Sequence, residues 1–114
     1  MSRNWKLFIR DMQHAGARIR RYVAERDQAS FLADEMAFDA TLRNLEILGE
    51  AAKAMPQEIR ARYPDVDWRA IAGLRDVLAH AYFALDGATL WDIVQNKVPT
   101  LLAQLERIQE GSED

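Results

Sequence analysis

The chain has no cysteine, which excludes disulfides, thiolate zinc sites and cysteine nucleophiles together. It has no apolar run near the ~20 residues needed to span a bilayer as a helix. Only three prolines and five glycines punctuate it, and strict alternation of apolar and polar residues is almost missing, so the pattern reads as helical. The opening MSRNWKLFIRDMQHAG carries Arg3, Lys6, Arg10 and Asp11 and lacks a small-residue cleavage site, so it does not read as a secretory signal. Nor is there an overall cationic excess, since the net charge is −3.

What is present fits one domain spanning residues 1–114, with a frayed tail from about 109 to 114. The 114 residues are 49% hydrophobic and 29% charged, enough to bury a core without covalent or metal staples. The expected location is the cytoplasm. Charge is unevenly placed along the chain. Residues 1–26 hold seven basic side chains against Asp11 and Glu25, a balance of +5, while the rest carries eight basic and sixteen acidic ones, a balance of −8. Such a basic segment on an acidic body is either a local attractor for polyanions or a solvated face paired with acidic neighbours.

The periodicity predicts four main helices. The first runs from about Ser2 or Arg3 to Arg26, with Trp5, Phe8, Ile9, Met12, Ile19 and Val23 as its apolar stripe. Ser30 is read as the cap of a short turn. A second long helix covers about Met36 to Ala54, with Phe38, Leu42, Leu45, Leu48, Ala52 and Met55 at spacings of three and four, and Pro56 ends it. Asp67 caps a third, WRAIAGLRDVLAHAY, fading near Phe83. After a turn at Asp86-Gly87, a fourth starts near Thr89, and Pro99 bends or restarts it. Four main helices with short links between them predict an all-α, up-down bundle.

Candidate chemistry sits in the third helix. Ile71, Leu74, Val77, Leu78 and Ala81 form its core-facing stripe. Arg75 and Tyr82, seven residues apart, share one flank with a drift of only ~20°. Asp76 and His80, four apart, share the other, where a carboxylate can orient an imidazole. The two flanks stand ~140° apart on a regular helix, so one straight helix cannot gather all of these groups onto one phosphate. Either the helix loosens near His80, or two copies meet across a dimer. The small Ala79 and Ala81 favour the second. Arginine suits bidentate phosphate binding, histidine suits proton transfer at a ribose 2′-hydroxyl, and tyrosine can bond a phosphate or accept a modification. His14 reads as a surface residue.

Arg75-Asp76-Val77-Leu78-Ala79-His80-Ala81-Tyr82 resembles the Arg-x4-His-x-Tyr form of the motif found in HEPN-domain ribonucleases, and the chain as a whole resembles the HepT toxins among them. The resemblance extends to Arg43-Asn44-Leu45-Glu46-Ile47-Leu48-Gly49-Glu50-Ala51-Ala52 of the central helix. It also takes in Tyr63-Pro64 with Trp68-Arg69, Ile71-Ala72-Gly73-Leu74, Leu90-Trp91, Ile93-Val94 and Pro99, so it runs from about Asn4 to Ile108. Ala81 departs from the glycine common in relatives, a small-for-small change.

The resemblance implies an all-α, four- to five-helix HEPN-type up-down bundle that dimerises so that two motifs line one cleft. It implies a metal-independent endoribonuclease, needing no cofactor, that acts as the toxin of a toxin–antitoxin pair on tRNA or mRNA. In that mechanism His80 serves as general base or acid, Arg75 stabilises charge on the phosphorane, and Asp76 orients a neighbour. The antitoxin implied is a minimal nucleotidyltransferase that transfers AMP to Tyr82, with which the homodimer builds a larger hetero-oligomer. Asn44 is either part of the cleft, part of the dimer contact, or a polar residue packed between helices. A rival reading keeps the bundle but makes it a non-catalytic nucleotide-binding or docking subunit of the nucleotidyltransferase.

Overall fold

The computed structural model describes residues 4–74, 76, 78 and 87–111. Helix α1 spans Trp5–Val23 and starts where Asn4 Oδ1 accepts from the Lys6 backbone N–H at 2.9 Å. It stops three residues short of the Arg26 expected from the pattern. The reason is local: Glu25 takes a left-handed φ of 60°, which turns the chain out of the helix. Arg26 then pairs with Asp34 at 2.7 Å, bridging the short helix α2 (Gln28–Ala33).

Ser30 does not cap α2 as expected. Asp27 holds that position, accepting from the Ser30 N–H at 2.8 Å, while Ser30 Oγ accepts from the Asp27 N–H at 3.0 Å. This is a capping box with serine in the third position, and it satisfies two otherwise orphaned donors. Asp34 closes α2 and opens α3 (Glu35–Ala54), where its carboxylate accepts from the Ala37 N–H at 3.0 Å. Both carboxylates are held below the usual Asp range, first by these backbone N–H donors and then by Ser30 for Asp27 and Arg26 for Asp34.

Pro56 ends α3 and begins α4 (Gln57–Arg62). Helix α5 (Trp68–Ala72) follows, then α6 (Gly87–Asp92), a π-helical turn at Ile93–Lys97, and α7 (Val98–Gly111). A helix restarts beside Pro99, as expected, beginning at Val98 one residue before it. The chain prepares for it by widening: the Val98 N–H donates five residues back to Ile93 O, so Pro99 enters as the second residue of α7. Helix α7 also continues through Gly111 into the stretch expected to fray.

The core gathers Met12 and Ile19 from α1, Phe31 from α2, Leu45 and Leu48 from α3, Ile59 from α4, and Val94 and Leu105 from the last elements. Helix α1 lies along α3 on one side and α7 on the other. Gln13 Nε2 donates to Gln109 Oε1 at 2.8 Å, and Gly16 faces Leu102. As α1 advances from 13 to 16, its contacts retreat from 109 to 102, so these two helices run antiparallel. Phe31 packs 5.6 Å from Trp91 and 6.3 Å from Phe38, which pins α2 between α3 and α6. The molecule is a helical bundle, with no strand among the described residues.

Candidate functional site

The approach to the Arg75–Tyr82 motif is built by α5. Asp67 Oδ1 accepts from the Ala70 N–H at 3.1 Å, the cap expected from sequence. Trp68 is buried, and its indole N–H donates to Tyr63 O at 3.0 Å, anchoring the first turn to the preceding loop. Helix α5 then ends at Ala72 rather than running unbroken to Phe83. Gly73 has ψ of −5°, and its N–H reaches back to Arg69 O at 3.0 Å. The Asp76 N–H donates to Gly73 O at 3.0 Å, a tight three-residue reach. Leu74, Asp76 and Leu78 are again helical. The helical path is thus reset at Gly73, two residues before Arg75.

The packing against α3 explains the position of this turn. A Cβ on Gly49 would stand 3.1 Å from Ile71 O, 3.7 Å from Ala72 O and 3.7 Å from Leu74 Cβ. Glycine at 49 therefore lets the end of α5 press directly onto the α3 backbone. Leu78 is buried and Asp76 exposed, as the core-stripe assignment requires. Of the other predicted site residues, Arg75, His80 and Tyr82 lie outside the described residues.

Asn44 is buried, with only 5% of its surface exposed. Its Nδ2 donates to Ala40 O at 2.8 Å, one helical turn back. Its Oδ1 is buried with no hydrogen-bond donor among the described residues. Thr41, one turn earlier on α3 and fully buried, has its Oγ1 in the same condition. Two unanswered polar atoms on one helix face are costly, at roughly 1–3 kcal/mol each, so they mark a face suited to hydrogen-bond donors. Thr41 did not emerge from the sequence pattern. A signal for it exists: a hydroxyl three residues before Asn44 that interrupts an otherwise apolar face.

An open groove of about 580 Å³ lies between α5 and the π-turn. Leu48, Ile71, Leu74, Ile93, Val98 and Leu101 provide its apolar lining, and Asp65, Asp67, Asn96, Lys97, Thr100 and Gln104 its polar rim. Gln104 Nε2 donates to Asp65 O at 2.8 Å and so ties α7 to the loop that precedes α5. His14 is exposed on α1, as read from the sequence. Among the described residues no three His, Asp or Glu side chains come together as metal ligands, and no helix is long and apolar enough to cross a membrane.

Comparison with known proteins converges on one family. The family described as Ribonuclease HepT-like matches residues 12–108. The chain is 34% identical over 110 residues to a protein of Thermococcus cleftensis named "Probable ribonuclease HepT", covering 96% of this chain and all of that one. It is 44% identical over 78 residues to "Putative RNase MJ0127" of Methanocaldococcus jannaschii, covering 68% of this chain and 64% of that protein. A second protein of that organism, "Putative RNase MJ0125", is 31% identical over 112 residues, 98% of this chain and 97% of its own length. No solved structure gives a significant match.

Proposed function

The chain belongs to the HepT-like ribonuclease family, and from that membership we propose that it is a metal-independent endoribonuclease acting as the toxin of a toxin–antitoxin pair. The observation that carries this reading is that the family match spans residues 12–108 and so includes Arg75, Asp76, His80 and Tyr82, all present in the motif order.

The reaction is in-line transesterification of RNA. His80 takes the proton of a ribose 2′-hydroxyl, and the 2′-oxygen attacks the adjacent phosphorus. The bond to the 5′-oxygen breaks as that oxygen takes up a proton from the imidazolium of His80 in either copy, so that His80 serves as base and acid in turn. Arg75 offers paired N–H donors to the phosphorane oxygens, where charge develops. Asp76, exposed and next to Arg75 in the chain, orients a basic neighbour. The products are a 2′,3′-cyclic phosphate and a 5′-hydroxyl. Asn44, with its unanswered Oδ1 on α3, is a positioning residue that accepts a hydrogen bond from a group of the cleft. Two copies of the chain supply two motifs to one cleft, which relieves the geometric conflict of a single helix.

Tyr82 is the control point. A minimal nucleotidyltransferase antitoxin transfers AMP from ATP to its phenol oxygen, with pyrophosphate leaving. The added phosphate places bulk and negative charge beside Arg75 and blocks RNA.

The test is cleavage of total cellular RNA in EDTA by purified protein, with unmodified Tyr82 confirmed by intact mass. The wild-type protein should cut and His80→Ala should not, and the fragments should carry cyclic phosphate ends. Failure of the unmodified protein to cut would overturn the ribonuclease reading and leave Arg75 and His80 as contacts for a nucleotide.

A further inference from the structure

We propose that the outward face of α1 is a rail for the phosphate backbone of a single-stranded RNA, extending the footprint of the substrate beyond the motif. The identity of the polyanion as RNA rests on the ribonuclease reading above. Helix α1 buries Ile9, Met12, Ala15, Gly16 and Ile19, and at 100° per residue Arg10, His14, Arg18 and Arg21 fall on the side opposite that stripe. All four are exposed. Among the described residues no carboxylate pairs with Arg10, Arg18 or Arg21, whereas Arg26, just beyond the helix, is committed to Asp34. Asp11 is the sole acidic residue within α1, and it is half-buried at the edge of this face.

The spacing suits a chain of phosphates better than a single anion. From Arg10 to Arg21 the helix rises about 16 Å, which spreads the three guanidinium groups and His14 over a row of about one donor per 5 Å. That density is of the same order as the charge of one nucleic-acid strand, about one per 3.4 Å. Guanidinium groups grip phosphate in a fixed fork, and nothing on this face reads a base, so binding along it is independent of sequence. The remainder of the molecule is acidic. Outside the motif, a polyanion is therefore drawn to this helix.

The experiment measures binding of a short oligouridylate as a function of salt, on the His80→Ala background so that the probe stays intact. The variant R10Q/R18Q/R21Q should lower the slope of log K against log salt by about 2, at ~0.7 for each phosphate no longer neutralised on a single strand, and weaken binding at least tenfold at physiological salt. R10K/R18K/R21K keeps the charge and should restore most of the slope. These residues are exposed, so thermal unfolding should be unchanged in both. With the native His80, the triple Gln variant should raise KM for RNA and leave kcat alone. An unchanged salt slope in the Gln variant would overturn the rail even if RNA is cut normally. So would unchanged RNA binding accompanied by lost binding to polyglutamate, which would assign the face to an acidic protein. A reduced slope in a protein that never cuts RNA would sustain the rail while the ribonuclease reading fell.

Discussion

Thr41 and Asn44 show how one residue can be retained against the interest of stability. A buried hydroxyl with no hydrogen-bond partner among the described residues loses its hydration without a visible return. Thr41→Val keeps the shape, so it should be neutral or stabilising by up to ~1 kcal/mol in urea unfolding. Asn44→Leu should likewise be tolerated in the fold, yet it removes the acceptor assigned to the cleft. We expect its RNA cleavage to fall at least tenfold while its midpoint in urea holds or rises. A parallel loss of both would make Asn44 a structural residue only. Glu25 is a simpler case, because its φ of 60° costs an L-residue about 1–2 kcal/mol and glycine almost nothing. Glu25→Gly should therefore raise stability by roughly 1 kcal/mol, measured by the same unfolding curve.

At the scale of elements, the ends of helices carry most of what can be manipulated. Asp27 and Asp34 are held below the ordinary Asp range in the folded chain by backbone N–H donors. Their contribution is therefore complete above the unfolded pKa of ~3.9 and is lost as the pH falls through their lower folded values. Thermal midpoints followed downward from pH 6 should begin to drop near pH 4, and Asp34→Asn should make the descent shallower. Gly49→Ala tests the seat of α5. Its methyl would meet the backbone oxygen of Ile71 at 3.1 Å, so α5 must shift to admit it. The expected result is a loss of ~1 kcal/mol or more despite the better helix propensity of alanine, together with reduced RNA cleavage. Among these ends, the Asp67 cap and the stop at Pro56 were legible in sequence because each is decided by a few adjacent residues. Asp27 displaced Ser30 as the cap because the serine hydroxyl was taken up in the reciprocal bond. The pause at Gly73 depends on Gly49, more than twenty positions away, and local pattern does not reveal it.

Across the whole molecule, the helical class and the long helices α1 and α3 follow from apolar spacing, while the candidate site divides in two. The Arg75–Tyr82 pattern was visible only as a likeness to a family, because polar residues flanking a core stripe look the same whether they work or merely face water. The polar pair on α3 needed the packed structure, since burial and a missing donor are properties of neighbours rather than of composition. Charge segregation was plain in the sequence, yet its placement on a single helix face required the fold. The antiparallel seam between α1 and α7, with Gln13 bonded to Gln109 and Gly16 against Leu102, has a consequence in time. The face of α1 made early in synthesis is covered by a helix made about ninety residues later, which at 5–20 residues per second is a wait of roughly 5–18 s. High-separation contacts of this kind also slow the closing step itself. A nascent chain is therefore unable to form its bundle, and with it any RNA-cutting cleft, until α7 has cleared the ribosome that is making it.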